Sequence, residues 1–399
     1  MIEEEILQKI VVSQRNDLKE KDVGVKREVL KEISLHGSHI IILSGIRRSG
    51  KSTLLRQLMK ELENFYFFDF EDQQAFNFDL MDFEKLHSLF EKNFGKSENY
   101  FFDEIQNVNG WERFVRKLHD KGKKVVITGS NASLLSKELG TKLTGRHFRY
   151  EVFPFTYQEM LILFHKKTCK ESFIDYIHSG GFPEFLKDQR QQLLQELFND
   201  TITRDIVIRY GLRDTKVITS LATYLMTNTG KEFSYNKLKK LFGLGSVNTV
   251  IAYISYLEDC YLLFTVPRFD YSYKKQLINP KKVYGIDSGL GKAISASYSE
   301  DLGRILENLV FLHLRRKYKE IFYYKGQAEC DFVIKERGQI TQAIQVCYSL
   351  SSTNLDRELG GLKEAMKKFH LKEGLLITLD GKDKFENIAV VPVWKWMID

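Results

Sequence analysis

The sequence predicts an α/β chain: a parallel sheet with helices on both faces, then a helical stretch, then a smaller mixed α/β region. Two observations carry that expectation. Short apolar runs alternate with helix-spaced segments up to about residue 150, and the first run ends in a glycine-bounded turn that opens a helix. From about residue 155 the pattern changes to helices and returns to mixed order only over the last hundred or so residues.

The elements follow in order. HIIILSG (39–45) reads as a strand and TLLRQLMKEL as the helix after it; NFYFFDF (64–70), ENYFFDEI (98–105) and KKVVITGS (123–130) read as further strands, with WERFVRKLHDKG as a helix before the last. Strands alternating with helices form parallel βαβ units, and such doubly wound sheets hold ligands at the carboxyl ends of their strands. FTYQEMLILFHKK, ESFIDYIHSG and QQLLQELFNDTITRDIVIRYG then read as helices. Three shorter helices and a strand-like tail follow, with Gly243 and Gly245 marking the turn between the last two, which is a winged-helix pattern. The helix GRILENLVFLHLRRKY precedes strands FYYKG, ECDFVIKE and QAIQVCYS, a helix LDRELGGLKEAMKKF and a strand GLLITLD. The expected domains are a nucleotide-binding core over 1–154, a helical lid over 155–213, a winged helix over 214–270 and a C-terminal α/β domain over 271–399.

Composition narrows the class. With 43% hydrophobic and 28% charged residues the 399-residue chain is globular, and its only 5 prolines leave no room for long proline-rich linkers. A net charge of +7 leans toward a polyanionic partner such as DNA, although charge excess also serves solubility. Cys169, Cys260, Cys330 and Cys347 form no CxxC pair, which argues against a disulfide framework or a zinc site. MIEEEILQKI lacks the basic and apolar regions of a signal peptide, and no apolar run is long enough to cross a bilayer. The expectation is a cytoplasmic protein without a membrane partner.

Gly45-Ile46-Arg47-Arg48-Ser49-Gly50-Lys51-Ser52 fits G-x-x-x-x-G-K-[ST] in full. The glycines let backbone N–H groups turn toward phosphates, and the helix that follows adds its positive end. Gly45, Ser49, Gly50, Lys51, Ser52 and Thr53 are the candidate ATP contacts, with Lys51 toward the β- and γ-phosphates and Ser52 toward Mg²⁺. The alternative, a chance glycine turn, is disfavoured by its place between a strand and a helix. In Tyr100-Phe101-Phe102-Asp103-Glu104 an apolar strand ends in adjacent carboxylates. Asp103 would hold Mg²⁺ through water and Glu104 would act as general base on the attacking water.

GIRRSGKSTLL, FFDEIQ, ITGSN, LTGR with VFPFTYQEM, GGFPEFL, KKVYGIDSGL and GRILENLV together resemble a group of prokaryotic AAA-superfamily ATPases, over nearly the whole chain. The resemblance implies ATP binding, hydrolysis and a C-terminal domain similar to PD-(D/E)XK nucleases. Asn131 then matches the polar residue called sensor 1, though Ser130 or Asn131 would serve equally as cap of the helix ASLLSKEL. Arg146 would be an arginine finger acting in a neighbouring subunit of a homo-oligomer, or else a surface arginine.

Two further constellations stay open. Ser246, Asn248 and Thr249 open the recognition-helix candidate, and Lys237, Lys239 and Lys240 precede it; they suit DNA contacts or simply solvate a helix face. In the nuclease-like region Glu307 and Asp331 match two acids of a metal site, but Gln345 and Cys347 stand where a third acid and a lysine are expected. Lys325 or Glu329 would have to migrate in to restore it; alternatively Glu307 and Asp331 cap helices or pair with arginines such as Arg304. An ATPase with an inactive nuclease-like domain is therefore expected, against an ATP-regulated Mg²⁺ nuclease or a nucleotide switch with a protein partner.

Overall fold

The computed structural model describes residues 1–20, 22–130, 145–294 and 301–398. The chain divides into two compact units, Met1–Phe153 and Pro154–Asp399.

In the first unit α1 (Glu4–Glu20) precedes β1 (Ile40–Ser44), α2 (Lys51–Met59), β2 (Tyr66–Asp69), α3 (Asp82–Phe94), β3 (Asn99–Asp103), α4 (Trp111–Asp120), β4 (Lys124–Gly129) and β5 (His147–Glu151). All five strands are parallel, in the order β2-β3-β4-β1-β5. The doubly wound sheet expected from the sequence is present, with two additions. β5 has no buried side chain, Phe148 being exposed and the others half-buried, and no continuous apolar run, so it carried little strand signal. α1 supplies Leu7, Ile10 and Val11 to the core.

Strand alternation sorts the core into two layers, because successive side chains face opposite sides. Ile40, Ile42, Tyr100 and Phe102 join the layer with α1, α3 and α4, and Ile41, Leu43 and Phe101 join the layer with Leu54, Leu55 and Leu58 of α2. Both faces are covered, which explains why these strands read as unbroken apolar runs. β4 lies between β1 and β3, so the turn after β1 and the acids ending β3 flank the end of β4.

The second unit opens with helices Tyr157–Phe164, Lys170–Ser179, Pro183–Asp188 and Gln191–Asp200, the last running on as a π-helical stretch, Thr201–Ile208. Helix Thr215–Thr227, β6 (Glu232–Phe233), helices Tyr235–Leu241 and Val247–Asp259, β7 (Leu263–Pro267) and β8 (Lys281–Gly285) come next. Their strands pair antiparallel in the order β6-β8-β7. β8 falls outside residues 214–270, because residues 268–280, with a short helix Tyr273–Ile278, separate it from β7.

A six-stranded mixed sheet completes the chain. It comprises β9 (Glu320–Lys325), β10 (Glu329–Glu336), β11 (Gln339–Cys347), β12 (Gly374–Thr378), β13 (Asp383–Phe385) and β14 (Ile388–Pro392), ordered β13-β14-β12-β11-β10-β9. Helix Leu355–Phe369 covers one face through Leu359, Leu362, Ala365 and Met366, and helix Leu302–Lys317 is buried from Ile305 to Leu312.

One buried carboxylate joins two distant sequence motifs in this unit. Asp287 caps helix Ser288–Ala293 by accepting the Leu290 N–H at 2.8 Å, and its other oxygen accepts the Gly181 N–H at 2.6 Å. Gly181 lies so close to the backbone that an added Cβ would come within 2.2 Å of the Phe155 carbonyl oxygen. GGFPEFL and GIDSGL are thus halves of one packing arrangement. Removing the acceptor strands two buried N–H groups, so Asp287→Ala should lower unfolding stability by about 2–4 kcal/mol. Asp287→Asn, which keeps one acceptor, should fall between, as read by denaturant unfolding.

Candidate functional site

The phosphate-loop candidate lies between β1 and α2, and its backbone explains its residue types. Gly45 passes so near the chain after β5 that a Cβ there would meet the Val152 carbonyl oxygen at 2.1 Å. Gly50 has φ 96°, a left-handed conformation open to glycine at no steric cost. The Lys51 ammonium, 4% exposed, donates to the carbonyl oxygens of Gly45 (3.1 Å) and Ile46 (3.2 Å) and pairs with Glu104 at 3.3 Å. Ser52 bonds the Asp103 carboxylate through its side chain, and Thr53 accepts from Arg56 at 3.0 Å. Among the described residues the buried Ser49 hydroxyl has no hydrogen-bond partner.

The strand order converts sequence-distant acids into a cluster. Asp103 and Asp69 are register partners on β3 and β2. Thr128 at the end of β4 donates its hydroxyl to Asp103 and accepts the Glu104 N–H at 2.9 Å, so one side chain serves both acids. Glu104 has φ 49°, a left-handed backbone costing about 1–2 kcal/mol for a residue with a Cβ. Burial opposes its ionisation, but Lys51, Arg47 and the Gln106 amide outweigh that and hold its pKa below the ordinary glutamate value. Asp103 shifts the other way, because burial and the neighbouring Glu104 charge exceed its hydrogen bonds from Ser52 and Thr128. Asp69 is pushed up to about 7 by burial and by Asp103.

A cleft of about 510 Å³ opens beside these groups, lined by Gln14, Ser52, Arg56, Asp69, Glu71 and Asp103 among others. Mg²⁺ is commonly held by one or two protein oxygens together with waters and substrate phosphates, and the Ser52–Asp103 pair fits that donor set.

Several supporting residues escaped the sequence reading. Arg27, 3% exposed, donates to the Ser49 carbonyl and the Phe153 carbonyl, each at 2.7 Å, and so braces the loop from below. Gln57 of α2 accepts the Arg27 N–H at 3.1 Å and donates to the carbonyls of Val23 and Val25. Only Asp69 had a visible signal: NFYFFDF ends an apolar strand in an acid, as ENYFFDEI does. Of the loop arginines, Arg47 pairs with Glu71 at 2.7 Å.

Two further candidates remain. Asn131 lies outside the described residues. Arg146 precedes β5 at the edge of the sheet where β1 begins, since its carbonyl accepts the Ile40 N–H at 2.9 Å. That is the end away from the loop, and the Arg146 guanidinium pairs with Asp120 at 2.7 Å.

The second unit holds the other candidates. Ser246 caps helix Val247–Asp259, accepting the Thr249 N–H at 3.1 Å with a hydroxyl contact to Thr249 at 3.0 Å, so both are engaged in the cap. Asn248, Lys237 and Lys240 are exposed and Lys239 half-buried. Tyr271, Tyr273 and Ile278, between β7 and β8, are 76%, 72% and 71% exposed.

Glu307 and Asp331 do come together, but around a lysine from elsewhere. The Lys282 ammonium of β8 lies 2.9 Å from Glu307, 2.9 Å from Asp331 and 2.8 Å from Glu329. Glu329 has joined the cluster; Lys325 lies at its rim, 2.9 Å from Glu232 and 3.4 Å from Glu329. Arg304 pairs instead with Asp301 at 3.2 Å. Gln345 accepts the Asp331 N–H at 3.2 Å and donates to Glu358 at 2.8 Å, while burial pushes the Cys347 thiol up to about 11. Among the described residues no group of three or more His, Cys, Asp or Glu is arranged to hold a metal ion, and the Lys282 ammonium lies between the expected pair, Glu307 and Asp331. No helix among them is long and apolar enough to cross a membrane.

Comparison with known proteins gives this geometry a setting. Family profiles match an AAA domain over residues 37–161 and two domains of unknown function, DUF8612 over 170–301 and DUF4143 over 302–396. The uncharacterized protein MJ1544 of Methanocaldococcus jannaschii is 34% identical over 100% of this chain and 96% of its own length. An uncharacterized protein of Haemophilus influenzae is 30% identical over 90% of this chain and 94% of its own. Among solved structures, AMPPCP-bound DnaA from Aquifex aeolicus overlaps 58% of this chain and 85% of its own at 15% identity, with a TM-score of 0.29 that is too low to bear on the site. The chain belongs to the family of MJ1544, and in it an AAA domain is followed by two domains of unknown function.

Proposed function

We propose that this chain binds ATP with Mg²⁺, hydrolyses it, and uses the nucleotide state to engage a partner, DNA, through its C-terminal half. The observation that carries the enzymatic part is the meeting of two motifs: Lys51 pairs with Glu104 and Ser52 bonds Asp103. The match to an AAA domain supports it.

Each residue has a physical task. The loop carbonyls and Glu104 that hold Lys51 are replaceable by phosphate oxygens, which accept from an ammonium more strongly. When Lys51 turns to phosphate, Glu104 loses its main cationic neighbour and is released to accept a proton from water. Mg²⁺ at Ser52 and Asp103 would offset phosphate charge. Thr128 keeps Asp103 and Glu104 in fixed relation, and Arg27 keeps the loop from collapsing.

Helix, strand, helix, helix and two further strands, with sheet order β6-β8-β7, support a winged-helix reading in which residues 268–280 would be the wing. Apart from the buried Lys282, eight basic against four acidic residues between 231 and 281 favour a polyanion. With Ser246 and Thr249 committed to the cap, Asn248, Lys237, Lys239 and Lys240 are the groups offered to DNA. The exposed Tyr271, Tyr273 and Ile278 favour a second reading, a nucleotide switch with a protein partner.

Lys51→Ala should abolish measurable ATP binding by calorimetry. Glu104→Gln should retain binding and lower hydrolysis by on the order of 10²–10⁴-fold. Hydrolysis unchanged in Glu104→Gln would remove Glu104 from the mechanism. DNA affinity should fall steeply with salt, and Lys237→Ala/Lys240→Ala should reduce the slope of log K against log salt by about 1–2. Absence of salt-dependent DNA binding would leave the protein-partner reading.

A further inference from the structure

The resemblance to PD-(D/E)XK nucleases calls for a divalent cation among the acids of the C-terminal sheet, and the residues present do not fit one. The Lys282 ammonium has three donors, and three carboxylates meet it at 2.8–2.9 Å. These are the distances of charge-assisted hydrogen bonds, well beyond the ~2.0–2.1 Å at which oxygens ligate Mg²⁺. Two of these carboxylates accept further hydrogen bonds. Tyr284 donates its hydroxyl to Glu307 at 2.6 Å, and the Val346 N–H donates to Asp331 at 3.0 Å. Lys282 is 2% exposed, Asp331 6% and Glu307 8%.

We infer that Lys282 is a built-in counter-ion: its ammonium takes the place of a metal among Glu307, Glu329 and Asp331, and the C-terminal sheet is assembled around it. Lys282 comes from β8, outside the six-stranded sheet, so the same contact fastens the three-stranded sheet to the C-terminal one. Lys325 adds a second tie between them, from β9 to Glu232 on β6. A backbone phosphate therefore finds Lys282 buried and committed to three carboxylates, not free to position water. The cluster is an anchor for residues 268–280, whose ends are also held: the Phe269 N–H donates to Tyr323 at 2.8 Å and the Tyr323 hydroxyl donates to Pro280 at 2.7 Å. The inference is independent of ATP hydrolysis, which is read at another site.

The test uses the full chain, free of nucleotide, with Mn²⁺ as the probe. Mn²⁺ titrations of wild type and Asp331→Asn should superimpose, and neither should cut plasmid DNA. Removing one charge from a buried network is strongly destabilising, so Lys282→Met should lower the melting temperature by on the order of 10 °C. Mn²⁺ should then bind roughly tenfold or more tightly than to wild type and restore part of the loss, and Asp331→Asn in that background should cancel the gain. If Lys282→Met does not fold, the triple variant Lys282→Met/Glu307→Gln/Asp331→Asn, which removes the charges together, should recover soluble protein. The inference is overturned by Mn²⁺ binding or DNA cleavage in wild type that Asp331→Asn abolishes. It is equally overturned by Lys282→Met melting like wild type, or by a triple variant no better than Lys282→Met.

Discussion

Thr128 is the contact on which the nucleotide half turns. Its strand, β4, runs between the strand that ends in the phosphate loop and the strand that ends in two acids. A parallel sheet brings all its carboxyl ends to one edge, but convergence alone would set Asp103 and Glu104 against each other without fixing either. The Thr128 hydroxyl donates a hydrogen bond to Asp103 and accepts one from the Glu104 N–H. The left-handed turn at Glu104 is held there and aims its carboxylate at Lys51. Loop, acids and cleft follow from that geometry.

The nucleotide half was largely legible in its sequence because its strands are buried on both faces. The strands in HIIILSG, ENYFFDEI and KKVVITGS are almost wholly buried, and in NFYFFDF buried and half-buried positions alternate, so all four read as apolar runs. β5 escaped because HFRYE lies at the sheet edge with half-buried side chains and lacks that signature. Arg27 escaped for another reason. A buried arginine whose partners are carbonyl oxygens leaves no pattern of acids to mark it.

The C-terminal half shows where motif reading stops. Glu307, Asp331, Gln345 and Cys347 were read against a nuclease-like pattern, in which the expected lysine is missing. What completes the cluster lies 49 residues before Asp331, on a strand of a different sheet. Lys282 sits beside Lys281 in a basic run that resembles a solvated surface, yet only one of the pair is buried. Strand alternation turns one lysine inward, and nothing local in KKVYG says which. Ser246 teaches a related lesson: a small polar residue at a helix start serves the helix first.

The Arg27–Gln57 brace has a consequence for where the AAA domain begins. Sequence similarity starts it at residue 37, yet the loop at 45–52 is supported by residues 23–27, and α1 fills one layer of the same core. A fragment cut at residue 37 would keep every recognisable motif and lose the struts behind them. The smallest piece that keeps this AAA half intact is therefore defined by its buried carbonyls and its α1 leucine, not by its signature residues.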